Sequence, residues 1–193
     1  MDAAFPLDAF LAAELPALCT DLAAPRPTVL LPGSFNPLHA AHLKLADVAS
    51  QRLGRSAAFE LSVVNVDKPP LSREEIERRL RQFAGRVVWL TRAPMFVEKA
   101  RLFPGAVFVV GADTAARVLS PRYCPDGDLD AALAVIRSQG CRFLVAGRVD
   151  PAGRFLSLDD LSPPPAHRDL FDAIPPDVFR MDLSSTQLRG QGR

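Results

Sequence analysis

The sequence predicts an open α/β sheet of five to six mainly parallel strands with helices on both faces. Apolar runs recur at 29–31, 59–66, 87–90, 107–110 and 142–146. Each is apolar nearly throughout rather than alternating, as expected of strands buried on both faces. The segments between them carry apolar residues at helical spacing. Strand, helix, strand in succession means parallel pairing through crossovers.

Taken in order, residues 1–24 carry Phe10, Leu11, Leu15, Leu18 and Leu22, punctuated by Pro6 and Pro16. They predict one or two short helices packed outside the main fold, an extension of 1–26 to a domain of 27–193. Val29-Leu30-Leu31 is a buried strand that stops at Pro32-Gly33. From Leu38 the apolar face Leu38, His42, Leu45, Ala49 predicts a helix, which Gly54 ends. A second strand covers 59–66. Ser72-Arg73-Glu74-Glu75 has capping-box spacing, with Ser72 as N-cap and Glu75 reaching back, and Ile76, Leu80 and Phe83 form the stripe that follows. A third strand at 87–90, a helix at 96–103 and a fourth strand ending at Gly111 come next. A helix at 128–138 and a fifth strand at 142–146 complete the repeating pattern. Ser162-Pro163-Pro164-Pro165 reads as a rigid connector, followed by a short helix and a further strand at 178–181. The arrangement is doubly wound and Rossmann-like.

Composition narrows the function classes. The chain has 193 residues, 48% of them hydrophobic and 23% charged, so one domain can bury a full core. Lys plus Arg number 23 against 22 Asp plus Glu, a balance without the clustered positive charge that nucleic acid or an anionic membrane requires. Three cysteines, Cys19, Cys124 and Cys141, form no Cys-x-x-Cys pair, which disfavours a disulfide framework or zinc site and fits a reducing compartment. No apolar run approaches the roughly 20 residues that span a bilayer, and the start lacks a secretory pattern. A cytoplasmic protein is the expectation, with self-association left open.

The richest segment is the first strand-to-helix junction, Gly33-Ser34-Phe35-Asn36-Pro37-Leu38-His39-Ala40-Ala41-His42. In open parallel sheets ligands bind at the carboxyl ends of strands, where the winding reverses. Gly33 allows close backbone approach, and free N–H groups at a helix start favour phosphate. His39 and His42 share one side of the helix and can both address the same phosphate oxygens. On spacing alone His42 reads equally as a core histidine. Metal ligation is disfavoured, because the loop carries no carboxylate. The dinucleotide fingerprint Gly-x-Gly-x-x-Gly and the P-loop pattern are both absent.

Gly33-Ser34-Phe35-Asn36-Pro37-x-His39-x-x-His42 resembles the signature of the nucleotidyltransferase superfamily with the (Thr/His)-x-Gly-His motif. It is most similar to the nicotinamide and nicotinate mononucleotide adenylyltransferases, with Ala41 where many members carry glycine. Leu183-Ser184-Ser185-Thr186-Gln187-Leu188-Arg189 resembles the superfamily's second motif, Ile-Ser-Ser-Thr-x-Ile-Arg; a plain Ser/Thr helix cap is the bland alternative. Gly111-Ala112-Asp113-Thr114 resembles its Gly-x-Asp element, and reads equally as a helix cap. The resemblance implies that His39, His42 and Arg189 are catalytic. It implies that Gly33, Ser34, Phe35, Gly111, Asp113, Ser184, Ser185 and Thr186 hold ATP, and that Asn36, Lys68 and Phe96 meet the mononucleotide. Lys68 beside Pro69-Pro70 also fits a solvated loop charge, while Trp89 and Phe103 fit the core. Magnesium is expected to arrive with ATP, without a dedicated protein ligand. A cytidylyltransferase, a phosphopantetheine adenylyltransferase and a non-catalytic nucleotide-binding module remain open, the last because only four residues follow Arg189.

Overall fold

In the computed structural model, residues 5–150 and 152–180 are described here. In chain order the strands are β1 Ala17–Cys19, β2 Val29–Pro32, β3 Ala58–Ser62, β4 Val88–Thr91, β5 Val107–Gly111, β6 Arg142–Ala146, β7 Arg148–Val149, β8 Phe155–Leu156 and β9 Phe171–Ile174. The α-helices are α1 Leu7–Leu11, α2 Ala40–Leu53, α3 Arg73–Leu80, α4 Phe96–Leu102, α5 Ala112–Val118 and α6 Leu129–Ser138. Seven strands form one sheet in the order β1-β4-β3-β2-β5-β6-β9, and β7 with β8 makes a separate hairpin. Within the large sheet every pair is parallel except β1 with β4. The chain winds outward from β2 through β3 to β4, then returns to the other side of β2 and winds outward again from β5. The expected doubly wound α/β sheet is therefore present, with an antiparallel edge strand added.

Local sequence explains most of the helix ends. His39 is the N-cap of α2 in an extended conformation, and Gly54 closes that helix at φ 64°, where a side chain would be strained. Ser72 Oγ accepts from the Glu75 backbone N–H at 3.3 Å, and Asp128 caps α6 by accepting from the Ala131 N–H at 2.9 Å. Glu75 does not close the predicted capping box; its carboxylate turns instead to Arg78 and Arg79.

Two apolar clusters lie on the two sides of the sheet. One holds Val29, Leu31, Phe35, Phe59 and Leu61 beneath α2 and α3, and the other holds Leu30, Phe108, Val110 and Phe143 beneath α4, α5 and α6. The alternation along β2 and β3 puts successive residues in opposite clusters, as the pleat requires. Trp89 and Phe103 pack edge-on at 5.4 Å, in line with their predicted core placement.

Four sequence expectations shift. The helix expected from Leu38 starts at Ala40, so His39 caps it rather than lying inside it. The strand expected over 59–66 ends at Ser62, because Val63 to Val66 turn away into a loop that leaves Val66 exposed. The final strand is β9 at Phe171–Ile174, while Val178 to Arg180 form no strand and Met181 lies outside the described residues. Among the described residues of the N-terminal stretch only α1 is helical; Ala17–Cys19 pairs with β4 and extends the sheet.

Phe10 is fully buried in the same cluster as Phe59 and Leu61. Truncating it removes apolar area and leaves a cavity, so Phe10→Ala should lower the unfolding free energy by about 3–5 kcal/mol. Chemical denaturation should show this as one shifted transition. If the N-terminal stretch were an independent appendage, the main transition would stay where it is.

Candidate functional site

The winding reverses between β2 and β5, and a cleft opens there. Pro32 at the end of β2 and Gly33 after it, Ser62 at the end of β3 and Gly111 at the end of β5 all line this cleft of about 790 Å³. This is where an open parallel sheet takes its ligand.

The loop from Gly33 to Leu38 is held from beneath and from one side. Beneath it, Phe35 is 1% exposed and sits at φ 45°, an uncommon conformation for a residue with a side chain. Its ring meets His42, Phe83 and Phe59 edge-on, with centroids 5.1, 5.2 and 5.5 Å away. A Cβ on Gly33 would lie 2.7 Å from Phe35 Cζ, so glycine is what lets the aromatic ring fold under the loop. Phe35 thus anchors the loop from the core and is not itself a lining residue of the cleft.

From the side, α3 clamps the loop. Arg79 Nη1 donates to the Ser34 carbonyl at 2.8 Å, and Arg78 Nη2 donates to Asn36 Oδ1 at 2.7 Å. Gln82 Nε2 donates to the Phe35 carbonyl at 3.1 Å, and Gln82 Oε1 accepts from the Leu38 N–H at 2.9 Å. Glu75 sets both arginines: Arg78 Nε at 2.7 Å on one oxygen and Arg79 Nη2 at 2.6 Å on the other. Arg78, then Arg79, hold the Glu75 carboxyl down to about 2, so it stays ionised at any physiological pH.

His39 and His42 stand at the top of this platform with their rings stacked, centroids 3.7 Å apart. His42 lines the cleft; His39 packs behind it. The His39 backbone N–H donates to His42 Nδ1 at 3.3 Å, which leaves Nε2 of a neutral His42 as the protonated nitrogen. Burial, then the neighbouring His39 and Arg148 charges, push His42 down to about 4. Burial, then Arg148, lowers His39 as well. At neutral pH His42 is therefore an uncharged ring with one N–H to offer.

On the opposite rim Asp113 lies in the first turn of α5 and accepts no N-capping bond; the cap position is Gly111, which has no side chain to cap with. Asp113 instead pairs with Arg148, Oδ2 to Nη1 at 2.7 Å. A Cβ on Gly111 would meet Asp113 Oδ1 at 2.8 Å, so this glycine makes room for the carboxylate. Lys68 is exposed on the rim, and its loop is pinned across the cleft by Asp67, which takes Arg122 Nη2 at 2.6 Å and the Tyr123 hydroxyl at 2.9 Å. Phe96 opens α4, lines the cleft, and packs edge-on against Phe108 and Phe143.

Gly33, Ser34, Asn36 and His42 thus share one cleft with Lys68, Phe96, Gly111 and Asp113. Ser184, Ser185, Thr186 and Arg189 lie outside the described residues. Sequence reasoning missed Arg79, Arg148 and a buried pair on the cleft floor, Glu60 and Lys99, joined at 2.7 Å. A usable signal existed for one of them. Glu60 interrupts the apolar run Phe59-Glu60-Leu61, and a carboxylate inside a buried strand needs a partner.

The histidine pair stands at the start of the helix after β2, at the reversal point of a doubly wound α/β sheet. Residues 30–191 match the Cytidylyltransferase-like family, and the chain belongs to it. Its general activity is that of a nucleotidyltransferase. A comparison with curated proteins gives no match. Among the described residues no helix is long and apolar enough to cross a membrane.

Two outcomes follow from the site. Removing the Arg79 guanidinium leaves Glu75 half-paired and the Ser34 carbonyl without its donor, so Arg79→Met should cost about 3 kcal/mol in a denaturation experiment. The second concerns pH. The folded His42 value lies below that of an unfolded histidine, so between about 6.5 and 4 the unfolded chain binds a proton that the folded chain refuses. Relative to His42→Ala, the wild-type protein should lose stability as pH falls through that window, by about 3 kcal/mol at most, and be unaffected above it.

Proposed function

We propose that this nucleotidyltransferase transfers AMP from ATP to nicotinamide or nicotinate mononucleotide, forming the dinucleotide and pyrophosphate. A phosphate oxygen of the mononucleotide attacks the α-phosphorus in line. The bond from the α-phosphorus to the bridging oxygen breaks, and its electron pair leaves with pyrophosphate. No covalent enzyme intermediate is needed; positioning and charge stabilisation carry the rate.

The observation that supports this reading most is His42: a neutral ring at a helix start, lining the cleft, with Nε2–H as its free donor. Such a donor is strongest where charge grows on the α-phosphate oxygens, and burial keeps it from being masked by water. In this reading His39 backs His42 and shares the approach to the phosphates. Gly33 and Ser34 supply backbone to the triphosphate, with Phe35 acting through the loop it anchors, and Gly111 and Asp113 face the nucleoside. Asn36, Lys68 and Phe96 border the acceptor. Arg148 adds a cation beside both histidines. Ser184, Ser185, Thr186 and Arg189 belong to the stretch matched by the family and are assigned the leaving pyrophosphate. Magnesium enters as the ATP complex, held by phosphate oxygens and water. Among the described residues no three His, Cys, Asp or Glu side chains group as a metal site.

The family match favours a second reading equally at the level of the base: CTP as donor, with a different phosphorylated acceptor. Small nucleotides are the partners in both.

The test is pyrophosphate release from Mg-ATP, or Mg-CTP, with each pyridine mononucleotide and with a panel of other phosphorylated acceptors. ATP with a pyridine mononucleotide should give turnover, and CTP should not. His42→Ala should bind ATP with nearly unchanged affinity and lose about 10²–10³ in kcat. Turnover with CTP alone would establish the second reading, and a His42→Ala rate equal to wild type would remove the histidine's role.

A further inference from the structure

Beneath the acceptor side of the cleft lie two charges that the proposed transfer does not use. Glu60 on β3 is 1% exposed and Lys99 on α4 is 4% exposed, yet both line the cleft. Lys99 Nζ donates to Glu60 Oε1 at 2.7 Å, and the Thr91 hydroxyl donates to the same oxygen. The other oxygen, Glu60 Oε2, is buried and meets no hydrogen-bond donor among the described residues.

That arrangement is costly if it is only structural. Taking a carboxylate and an ammonium out of water costs several kcal/mol per ion, and leaving one carboxylate oxygen unsatisfied adds to it. Apolar residues of similar volume would serve packing better. A buried pair that also borders a ligand cleft, with one acceptor unspent, is arranged to receive a donor.

We propose that Glu60 and Lys99 form the floor of the acceptor subsite and select a planar group that carries both an N–H donor and a carbonyl acceptor, a carboxamide, over the corresponding carboxylate. The inference rests on the reading of the acceptor as a pyridine mononucleotide. Glu60 Oε2 accepts the amide N–H, and one of the remaining Lys99 N–H groups donates to the amide oxygen. A carboxylate in the same place would face Glu60 Oε2 with like charge, while the charge of Lys99 is already balanced at 2.7 Å by Glu60. Phe96 lies one helical turn before Lys99, with Lys99 Nζ 6.0 Å from its ring centroid, and supplies an apolar aromatic surface beside the pair. Donor, acceptor and aromatic surface together match an aromatic carboxamide. The same pair explains why a net-neutral cleft floor can lie near a site that must hold several phosphate charges without adding a charge of its own.

The test is calorimetric binding of nicotinamide mononucleotide and nicotinate mononucleotide to the intact chain saturated with magnesium and α,β-methylene-ATP. The wild-type protein should bind the amide about tenfold or more tightly than the acid, the discrimination expected of one charge-assisted hydrogen bond. Glu60→Gln should erase that preference. Because Glu60→Gln leaves Lys99 buried and unbalanced, the double variant Glu60→Gln/Lys99→Met, which removes both charges, is measured beside it and should erase it too. A role in folding alone would weaken both ligands equally and leave their ratio untouched. A wild-type protein without amide preference, or a ratio unchanged in the variants, overturns this inference and leaves the proposed transfer standing. Failure of both mononucleotides to bind the wild-type complex overturns both.

Discussion

The Arg79 guanidinium on the Ser34 carbonyl is the contact on which the site depends. A loop that carries Phe35 at φ 45° and presents a backbone edge to a ligand has no secondary structure to hold it. Arg79 is one of three α3-side residues that do so, with Arg78 on Asn36 and Gln82 on both Phe35 and Leu38. The clamp works because Glu75, at i,i+3 and i,i+4 from the two arginines, orients both forks at once. Exposed ion pairs contribute little, but Arg79 is only 9% exposed along its side chain, so its bonds face weak competition from water. With the loop fixed, Phe35 is pressed against Phe59 and Phe83, and its edge against His42 fixes the ring that faces the cleft.

The electrostatics of the cleft follow from this rigid frame. Two histidine rings stacked at 3.7 Å beside Arg148 cannot both carry charge without strong repulsion. The protein therefore presents neutral imidazole to an incoming nucleotide rather than a fixed positive field. Arg148 is balanced by Asp113, Arg79 by Glu75, and Lys99 by Glu60. Each of these three cations is matched by a carboxylate before a ligand arrives. A triphosphate entering such a site supplies the negative potential that draws a proton or strengthens an N–H donor where it is needed. In the proposed function, selectivity for phosphate rests on the geometry of donors and not on the overall charge of the chain, which is close to zero.

Much of the fold was legible because its signals are local. The runs at 107–111 and 143–146 are apolar throughout, and both became inner strands. Ser72 was readable as a cap because capping acts within three residues, whereas Asp128, expected inside its helix, proved to be the cap. The missed strands of the large sheet lie at its two edges, and β7 with β8 forms the separate hairpin. Ala17–Cys19 is too short beside Pro16 to show a period, and in Phe171–Ile174 the exposed Asp172 and Ala173 break the apolar pattern of a strand with one neighbour. The histidine pair was visible from spacing, whereas the residues that position it were not. Arg79 reaches Ser34 across 45 positions in the chain, and Arg148 follows Gly147 in what reads as an ordinary turn. Contacts of that range are set by the crossover that returns α3 to the sheet, and no local pattern encodes them.

The proposed function requires a rigidly held, neutral His42 that faces the phosphates of a bound nucleotide. Its most direct measurement is the NMR titration of the His42 ring, free and saturated with Mg-ATP. In the free protein the midpoint should fall near 4, and with nucleotide bound it should move upward, because phosphate oxygens favour the protonated ring. A midpoint that nucleotide leaves unmoved would place the ring away from the phosphates and contradict the account.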